Sequence, residues 1–476
     1  MRAYSDLTSE IDESPAGPHV AAFFDLDRTL IAGFSALTFV RDGLRSGRLG
    51  ASDVVELLFA AISFELQTIG FSGFLTGTAR TLRGYPEEEF VRIGERIFNE
   101  ELASEVYPEA RAIVAAHRRR GHTLAIVSSA TRYQIGPIAR DLGIEHILAS
   151  QLEVVDGKLT GEIVDPPCYG EGKAYFARRF AEEHGIDLAQ SFFYTDSEED
   201  LPLLELVGHP RPTNPSKALT AIATRRGWPT QRFTSRGLPT LEEVVRTASA
   251  IGALVPSLLV GLPAALASGH WQDAINIAAS TWGELGTVLA GLQVRVRGEE
   301  NLWARRPAVF IFNHQSAVDM LVICKLLRRD FVGIGKQELR RNPIFGPFMA
   351  AAGTVFIDRF HHEKAIQALR PAIDALRHGI SLAIAPEGTR STTPHPGRFK
   401  KGAFFMAMEA GVPIVPIVLR NTLDALPKSW LVVRPTMIDV VVLPPIDTSD
   451  WKREELDARI EEIHAMYTRT LELPTD

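Results

Sequence analysis

An uncharged stretch near the middle of the chain constrains the possible folds more than any other feature. Residues 248–269 contain no charged side chain, although Pro256 and Pro263 interrupt them, and residues 274–294 form a second apolar stretch whose only charge is Glu284. A contiguous apolar surface of this size is seldom left in water. The pattern predicts a helical hairpin, and the prolines favour a kinked hairpin lying in a membrane over one straight span. The alternative is a hairpin packed against the next domain.

The hairpin interrupts a chain of 476 residues, which is too long for one hydrophobic core. On both sides of it, short apolar runs alternate with helical stretches, as in parallel sheets covered by helices. We therefore predict the α/β class, with two α/β domains joined by the apolar hairpin, the first of them Rossmann-like with a helical cap. The predicted boundaries are a polar tail at 1–18, the first domain at 19–235 with its cap at about 34–105, the linker and hairpin at 236–295, and the second domain at 296–476.

The distribution of charge bears on the possible partners. The formal net charge is −7 and the isoelectric point is near 6.0, so we expect no nucleic-acid partner. Residues 296–434 nevertheless carry a net charge of +9, against −10 for residues 1–295 and −6 for residues 435–476. The basic stretch is either an ordinary solvated face or a surface for anionic substrates and lipid headgroups. The two cysteines, Cys168 and Cys324, have no metal-type spacing, so neither disulfides nor a zinc site are expected.

Polar side chains follow the predicted strands of the first domain. Asp25 and Asp27 come directly after the apolar run 20–24 and point the same way on extended chain. A capped turn would explain these two acids alone. Three more blocks, however, fall at a strand end or a helix start, where a parallel sheet gathers its ligands. They are Ser128, Lys173 in Glu171-Gly172-Lys173-Ala174, and the acidic run Asp196 to Asp200.

These four blocks, in this order, resemble the haloacid dehalogenase phosphatases, especially the phosphoserine phosphatase subgroup, over about residues 20–230. The resemblance implies a Mg²⁺-dependent phosphatase that acts through an aspartyl-phosphate, with Asp25 as nucleophile and Asp27 as general acid and base. It also implies that Ser128 and Lys173 bind the phosphate and that Asp200 orients Lys173. The implied Mg²⁺ ligands are Asp25, the Asp27 carbonyl and Asp196. The apolar cap sequence at residues 54–74 indicates a substrate less polar than a free amino acid.

A second set of candidate residues lies beyond the hairpin. His314 and Asp319 follow the apolar run 308–312, but their spacing does not place them on one face of a regular helix. They can meet if His314 lies in the turn and Asp319 in the first helical turn. The structural alternative is that Ser316 to Asp319 forms a capping box opening a helix at Met320. Both interpretations can hold together.

Further blocks follow in the second domain, and they favour a catalytic role for the pair. They are Gly353 to Arg359, Glu387 to Ser391, Phe399 to Ala403 and Val412 to Pro416. With the His314 block, they resemble the glycerophospholipid acyltransferases, whose type member is 1-acylglycerol-3-phosphate acyltransferase. The resemblance covers about residues 290–445.

The residue types suit acyl transfer from a thioester to an alcohol. His314 would remove the hydroxyl proton, and Asp319 would fix its tautomer. An acceptor that carries a phosphate calls for arginine, whose planar fork matches phosphate oxygens. The substrate-binding candidates are Arg359 and Arg390, with Lys400 and Lys401 as weaker ones. Glu387 would orient Arg390 or the glycerol hydroxyl. Gly388 and Thr389 lie beside them, and Gly388 lets the backbone approach the ligand.

Together the two halves predict a bifunctional enzyme. The expected reaction moves an acyl group from acyl-CoA or acyl-carrier protein to 1-acylglycerol-3-phosphate and makes phosphatidic acid in phospholipid biosynthesis. The first domain would hydrolyse a small phosphomonoester or a lipid phosphate. The expected location is the cytoplasmic face of the cell membrane, with attachment through residues 248–294. The alternative is an acyltransferase for another lysophospholipid, with the first domain as a regulator that binds a phosphate ligand.

Overall fold

The computed structural model divides the chain into two compact units, Met1–Gly237 and Leu238–Asp476. Each unit contains a mixed, mainly parallel sheet between helices, which confirms the predicted α/β class. Nearly all of the predicted linker and hairpin, residues 236–295, falls in the second unit. The structure describes residues 4–47, 79–343, 346–357 and 362–472.

The first unit is built on a sheet whose strands come from distant parts of the sequence. Its described strands are β1 (Ala21–Phe24), β2 (Thr123–Thr131), β3 (His146–Val155), β4 (Lys158–Val164), β5 (Phe192–Thr195) and β6 (His209–Pro212). Their order is β4-β3-β2-β1-β5-β6. The central strand β1 runs parallel to β2 and β5, and only the β3–β4 pair within this described sheet is antiparallel. The carboxyl ends of β1, β2 and β5 therefore meet at one edge of the sheet.

Helices cover both faces of this sheet. The described ones are α1 (Ser5–Glu13), α2 (Ser35–Arg45), α3 (Glu87–Glu100), α4 (Pro108–Arg119), α5 (Arg132–Leu142), α6 (Glu171–His184), α7 (Leu201–Leu204) and α8 (Lys217–Arg226). All four residues of β1 are buried, because side chains of α4 and α5 pack on one face of the strand and those of α6 pack on the other. Burial on both faces explains why β1 has a continuous apolar sequence rather than an alternating one.

The predicted tail and the predicted cap of the first unit both contain helices. The predicted polar tail, residues 1–18, contains helix α1, and Ile11 of that helix is buried in the core, so this segment is not a free tail. Helices α2 and α3 lie within the predicted cap and are joined by the Arg96 guanidinium, which donates to both oxygens of Asp42 at 2.6 and 2.9 Å. The apolar cap segment, residues 54–74, lies outside the described residues.

The second unit contains the larger sheet. Its described strands are β7 (Leu292–Arg297), β8 (Val309–Phe312), β9 (Phe331–Lys336), β10 (Val355–Ile357), β11 (Ser381–Ile384), β12 (Ile414–Arg420) and β13 (Thr436–Val442). They are arranged in the order β10-β9-β11-β8-β12-β13-β7. Strands β10, β9, β11, β8 and β12 are parallel to one another. Strand β13 is antiparallel to β12, and β7 is parallel to β13. The central strand β8 ends two residues before the candidate residue His314.

The helices of the second unit again form two layers. The described ones are α9 (Leu241–Gly252), α10 (Leu254–Ser268), α11 (Trp271–Leu289), α12 (Asn301–Ala304), α13 (Asp319–Leu327), α14 (Gly346–Ala351), α15 (His362–Arg377), α16 (Gly402–Ala410), α17 (Thr422–Ala425) and α18 (Leu456–Glu472). Side chains of α11 and α13 pack on one face of the sheet, and those of α15, α16 and α18 pack on the other.

The apolar hairpin corresponds to α10 and α11, and its two arms differ. Helix α11 lies against α13 so closely that a Cβ at Gly283 would clash with the backbone nitrogen of Lys325. Glu284 faces α13 as well, where it forms ion pairs with Lys325 and Arg328, rather than the partner arm α10. The predicted second arm, 274–294, was too long: its helix ends at Leu289, and alternate burial from Leu292 onward marks strand β7.

Helix α10, in contrast, presents apolar side chains to the outside. Val255, Leu259, Val260 and Leu266 are all more than half exposed, with Leu266 at 87%. Within the described residues, the helical stretch Leu241–Ser268 is long and apolar enough to cross a membrane by length and composition alone. One arm of the hairpin, α11, is thus packed on its domain, whereas the other arm, α10, exposes apolar side chains.

Candidate active sites

The first candidate site lies at the carboxyl edge of the first sheet. Asp25 follows β1 directly, and its backbone N–H donates to the Tyr194 carbonyl of β5 at 2.9 Å. Lys173 enters from the first turn of α6, and its Nζ lies 3.0 Å from Asp25 Oδ1 and 2.8 Å from Asp200 Oδ2. Ser128 is buried on β2 beyond the point where that strand pairs with the end of β1, so it reaches the same edge. The structure therefore brings together residues from four separate sequence blocks.

Lys173 is the centre of charge in this site. Its residue is only 3% exposed, and burial alone would lower the pKa of its ammonium group. The carboxylates of Asp200 and Asp25 outweigh that effect and hold the pKa above its ordinary value. Thr195 Oγ1 donates to Asp200 Oδ2 at 2.5 Å and so fixes the acid that positions the lysine. Sequence reasoning missed Thr195, although it immediately precedes the acidic block.

Asp27 has the environment expected of a proton-transfer group. Burial raises the pKa of its carboxyl to about 6, although the Ser35 backbone N–H, which donates to Oδ1 at 2.8 Å, acts in the opposite direction. A carboxyl group whose pKa is close to neutrality can both donate and accept a proton. Ser35 begins helix α2, so the described start of the cap holds this carboxylate in place.

Asp196 is paired with an arginine that sequence reasoning did not single out. Burial, followed by the charge of Asp25, raises the pKa of Asp196 to about 7. Arg28 Nε lies 3.2 Å from Asp196 Oδ2. Arg28 has a φ of 58°, which is uncommon for a residue with a side chain, and Asn214 Nδ2 donates to its carbonyl at 2.9 Å. Arg28 directly follows Asp27 in the sequence, so its position was the available signal.

The donor set of this edge is compatible with Mg²⁺. No cluster of three or more His, Cys, Asp or Glu side chains suited to a metal occurs among the described residues. Mg²⁺, however, commonly takes one or two carboxylates and keeps several waters. Asp25 and Asp196 supply two carboxylates, and the Asp27 carbonyl is a third oxygen. The cation that already lies against Asp196, the Arg28 guanidinium, shows that this edge attracts positive charge.

The second candidate site lies at the carboxyl end of β8. His314 Nδ1 and Asp319 Oδ2 are 2.7 Å apart. The same carboxylate oxygen accepts the backbone N–H groups of Gln315 at 2.8 Å and Ser316 at 2.9 Å, and the Asp319 side chain is fully buried. When His314 donates its Nδ1 proton to Asp319, Nε2 keeps its lone pair and can act as a base. The loop thus holds the tautomer that base catalysis requires.

The predicted capping box does not form in its reciprocal arrangement. Helix α13 begins at Asp319 rather than Met320, and Val318 occupies the N-cap position without a side-chain cap. Ser316 Oγ instead donates to the Leu426 carbonyl at 2.8 Å and accepts from the Val318 N–H at 3.2 Å. Only the bond from the Ser316 N–H to Asp319 matches the box. Asp319 therefore serves chiefly to order the loop around His314.

Glu387 holds two loops together. Its Oε1 accepts the backbone N–H of His314 at 2.7 Å, and its Oε2 accepts that of Gly397 at 2.8 Å. Burial raises the pKa of the Glu387 carboxyl to about 7, although both backbone bonds oppose the shift. We expected Glu387 to orient Arg390 or a glycerol hydroxyl, but its hydrogen bonds in the described part go to the backbone. These bonds follow from the strand order, which places β11 directly beside β8, so that the ends of the two strands meet.

Arg390 is the arginine that the structure places near the pair. It is half-buried, and burial lowers the pKa of its guanidinium, with the charge of Asp319 acting in the opposite direction. Among the described residues it has no hydrogen-bond or ion-pair partner. The preceding Gly388 has a φ of 76°, a conformation that favours glycine, and Thr389 is exposed. The Glu387–Arg390 turn therefore leaves one guanidinium available to an anion.

The two weaker candidates for phosphate binding, Lys401 and Lys400, differ in their described contacts. Lys401 Nζ lies 2.8 Å from Asp457 Oδ2 in an exposed ion pair with α18. The Lys400 backbone N–H donates to the Pro386 carbonyl at 2.9 Å. Arg359 lies outside the described residues.

The scaffold around His314 includes two residues, Asn313 and Ser391, that were not predicted as site residues. Asn313 Nδ2 donates to the Leu419 carbonyl at 2.8 Å, and its Oδ1 accepts the Leu419 N–H at 2.7 Å. The Ser391 N–H donates to the His314 carbonyl at 2.7 Å. These bonds tie the His314 loop to β12 and to the Glu387 block. Asn313 and Ser391 each lie beside a predicted catalytic or binding residue, so proximity in sequence was the only signal.

Comparisons with known proteins match both units to known families. The model of the haloacid dehalogenase-like hydrolase family matches residues 22–205, and the acyltransferase model matches residues 293–420. Two similar proteins are from Mycobacterium tuberculosis. One is a probable phosphatase, 35% identical over 252 residues, with 52% of this chain and 86% of that protein covered. The other is a phosphoserine phosphatase, 33% identical over 266 residues, with coverages of 54% and 82%.

A third similar protein is a 1-acyl-sn-glycerol-3-phosphate acyltransferase from Limnanthes douglasii. It is 34% identical to this chain over 197 residues, and the match covers 41% of this chain and 69% of that protein.

Proposed function

Because this chain belongs to the haloacid dehalogenase-like hydrolases and also to the acyltransferases related to 1-acyl-sn-glycerol-3-phosphate acyltransferase, we propose that it is a bifunctional enzyme of phospholipid synthesis. Its second unit transfers an acyl group from acyl-CoA or acyl-carrier protein to 1-acylglycerol-3-phosphate and forms phosphatidic acid. The observation that carries this proposal is the 2.7 Å contact between His314 Nδ1 and Asp319, with the half-buried Arg390 nearby.

The acyl transfer follows from the chemistry of these groups. His314 Nε2 takes the proton of the free glycerol hydroxyl, and the hydroxyl oxygen attacks the thioester carbonyl carbon. The carbon–sulfur bond then breaks, and the thiolate takes the proton back from the imidazolium. Asp319 stabilises the imidazolium during this exchange and remains ionised. No acyl-enzyme forms, because the acceptor itself is the nucleophile.

Recognition of the acceptor rests on Arg390. The phosphate of 1-acylglycerol-3-phosphate is an anion that two parallel N–H groups of a guanidinium can bind. Arg390 suits this role because its guanidinium is partly desolvated and unpaired in the described part of the chain. Glu387 fixes the position of His314 by accepting its backbone N–H.

The first unit is proposed to hydrolyse a phosphomonoester. Asp25 attacks phosphorus and forms an aspartyl-phosphate while Asp27 protonates the leaving alcohol. Asp27 then takes a proton from water as the water oxygen attacks phosphorus, so that the bond between phosphorus and the Asp25 oxygen breaks and phosphate leaves. Lys173 and Ser128 bind the phosphoryl oxygens. The proximity of Lys173 Nζ to Asp25 supports this assignment, since the carboxylate and the phosphate repel each other without a cation.

Mg²⁺ fits the same edge, held by Asp25, Asp196 and the Asp27 carbonyl. When bound, it supplies positive charge that offsets the repulsion between Asp25 and the phosphate. Arg28 would then have to leave Asp196 or share that carboxylate. Asp200 keeps Lys173 directed at Asp25 in either case.

Membrane association is proposed through helix α10. Its exposed apolar side chains would lie in the lipid, while α11 remains packed on α13. The acceptor is a membrane lipid, so this arrangement would bring the second site to its substrate at the cytoplasmic face. Deleting the whole hairpin would also remove α11 from the core of the second unit, so point substitutions are the better test.

The membrane proposal predicts the effect of a triple substitution. Val255→Gln, Leu259→Gln and Leu266→Gln together should move most of the protein from the membrane pellet to the supernatant on ultracentrifugation. Each removed apolar contact is worth about 1.5–3 kcal/mol of burial. Val155→Gln, at an exposed apolar position in the first unit, is the control and should stay in the pellet. A wild-type protein found wholly in the supernatant at low salt would refute membrane attachment.

The catalytic proposal is tested with purified full-length protein in detergent. Incubation with an acyl donor and 1-acylglycerol-3-phosphate should form phosphatidic acid, and a panel of phosphomonoesters and lipid phosphates should reveal a Mg²⁺-dependent hydrolysis. Acyl transfer to a different lysophospholipid, combined with phosphate-ligand binding but no hydrolysis, would instead establish the regulator alternative. Absence of acyl transfer to every lysophospholipid would refute the main proposal.

A further inference from the structure

Three arginines lie on one face of the second sheet, on strands β12 and β7 beside the antiparallel pair of β12 with β13. Arg420, the last residue of β12, pairs with Asp439 of β13, which in turn pairs with Arg295 of β7. Residues directly opposite one another on paired strands share a face of the sheet, and Arg297, two positions along β7, shares it too. Arg295, Arg297 and Arg420 are called the arginine row below.

Arg420 is the buried member of the row. The residue is 5% exposed, and its Nε and Nη1 atoms are buried with no hydrogen-bond partner in the part of the chain that the structure describes. Burial lowers the pKa of the guanidinium, and the charge of Arg297 adds to this effect, while Asp439 acts against it. Buried donors without partners are uncommon and costly in folded proteins. A buried arginine with two such donors therefore indicates a missing acceptor.

The charges around Arg420 specify the kind of acceptor. The row contains three arginines and one acid, Asp439, which is itself buried. Arg295 Nη1 lies 3.9 Å from Asp439 Oδ1, so this single carboxylate is shared between neighbouring cations. The four side chains carry a net charge of +2. A compact anion such as a phosphate group can accept several guanidinium N–H groups at once, including the two that Arg420 leaves buried without an acceptor in the described part of the chain.

The row is linked to the second active site by the backbone. Arg420 follows Leu419, whose backbone N–H and carbonyl are both hydrogen-bonded to the Asn313 side chain. Asn313 immediately precedes His314. Strands β8, β12, β13 and β7 are consecutive in the sheet, so β7 lies about 14 Å from the strand that carries His314. The row thus begins beside the catalytic loop and extends away from it.

We infer that the arginine row binds the phosphate of the acyl donor. This inference rests on the proposed acyltransferase function and deepens it. The acceptor phosphate must lie near His314, where Arg390 is available. The donor differs in that its pantetheine arm separates the reacting thioester from the nearest phosphate, both in coenzyme A and in acyl-carrier protein. A second anion site, displaced from His314 along the sheet, matches that separation.

The test measures binding rather than turnover. Full-length protein in detergent is titrated calorimetrically with coenzyme A, which has no acyl group to transfer, and with pantetheine, which has no phosphate. Arg420→Gln should weaken binding of coenzyme A by at least about tenfold and leave binding of pantetheine unchanged. Arg453→Gln, an exposed arginine paired with Glu409 in the same unit, is the matched control and should bind both as the wild type does.

A second variant guards against misfolding, since Arg420 is buried. Arg297 is exposed, so Arg297→Gln should fold normally and still weaken binding of coenzyme A several-fold. The same titrations with holo acyl-carrier protein show which donor the row recognises. A third measurement tests binding to vesicles of anionic phospholipid. If the two variants lost binding to the vesicles but bound coenzyme A and carrier protein as the wild type does, the inference would be overturned in favour of a lipid headgroup. Unchanged binding of both donors by folded Arg420→Gln and Arg297→Gln would also overturn it.

Failure of this inference can be separated from failure of the proposed function. If the wild type transfers acyl groups but the Arg420→Gln variant keeps the wild-type KM for the donor, the function stands and the arginine row is not the donor site. If the wild type binds coenzyme A through the row but transfers no acyl group to any lysophospholipid, the site stands and the proposed reaction fails.

Discussion

The two candidate sites of this protein use charge in opposite ways. In the first unit, Lys173 lies between Asp25 and Asp200, and Arg28 lies against Asp196, so the cations already face carboxylates before a substrate arrives. In the second unit, the described contacts of the catalytic loop are mostly hydrogen bonds to backbone groups, and the Arg390 guanidinium is left for an anion.

The difference is the one expected from the two proposed reactions. A carboxylate that attacks a phosphate must overcome electrostatic repulsion, so its surroundings have to hold cations in fixed positions. A hydroxyl that attacks a thioester carries no charge, and the main requirement is a base with the correct tautomer at the correct place. Substitutions should therefore act mainly through charge in the first unit and mainly through geometry and proton transfer in the second.

The largest effect should come from the proposed nucleophile of the first unit. Asp25→Asn should reduce phosphomonoester hydrolysis by at least about 10⁴-fold, because no covalent intermediate can form on the amide. Acyl transfer should be unaffected, since its residues belong to another unit. The measurement is phosphate release, together with trapping of a labelled phosphoenzyme. A phosphoenzyme that persists in Asp25→Asn would show that another residue is the nucleophile.

The next largest effect concerns the proposed base of the second unit. His314→Ala should lower the kcat of acyl transfer by about 10²- to 10⁴-fold, which is the usual contribution of a positioned base, and leave hydrolysis intact. His378→Ala is a suitable control, because His378 is an exposed histidine that directly follows α15. Near-normal formation of phosphatidic acid by His314→Ala would rule out this assignment and with it the contrast between the sites.

A pH-dependent stability should distinguish Glu387 from exposed acids. Its pKa rises from 4.5 to about 7 on folding. Below pH 4.5 the carboxyl is protonated in both states. Between pH 4.5 and 7 the unfolded chain loses a proton that the folded chain keeps, so the free energy of unfolding falls as the pH rises through this window. Glu387→Gln removes this titration, and relative to the wild type it should gain up to about 3 kcal/mol between pH 4.5 and 8.

Urea unfolding followed by tryptophan fluorescence can measure this difference, because all tryptophans except Trp228 lie in the second unit. Glu461→Gln, at an exposed position on α18, should show the pH dependence of the wild type. If Glu387→Gln and the wild type lost stability in parallel across the window, the proposed protonation of Glu387 would be wrong.

The smallest of these effects concerns the acceptor. Arg390→Lys keeps the charge but replaces the planar fork with a single ammonium group, so the KM for 1-acylglycerol-3-phosphate should rise about tenfold with little change in kcat. Arg453→Lys, which alters an exposed ion pair, should leave both constants unchanged. A fall in kcat without a change in KM would assign Arg390 to the transition state instead of acceptor binding.

The sequence alone determined the class of the fold, the division by an apolar hairpin and the position of both motif sets. These features depend on local patterns: a strand buried on both faces is continuously apolar, and parallel strands present their following residues at one edge. Asp25, Lys173 and Asp196 could be predicted as one site for that reason. The same holds for His314 and Asp319, which are five positions apart.

The tertiary structure decided which residues from different strands touch. Glu387 binds the backbone of His314, 73 positions earlier, because β11 lies next to β8, and sequence periodicity contains no information on that neighbour. The ion pair of Arg28 with Asp196 and the alignment of Arg420 with Arg295 depend in the same way on strand order and register. The hairpin shows the physical reason most clearly: composition made both arms apolar, but only packing decided that α11 is buried on α13 while α10 remains exposed.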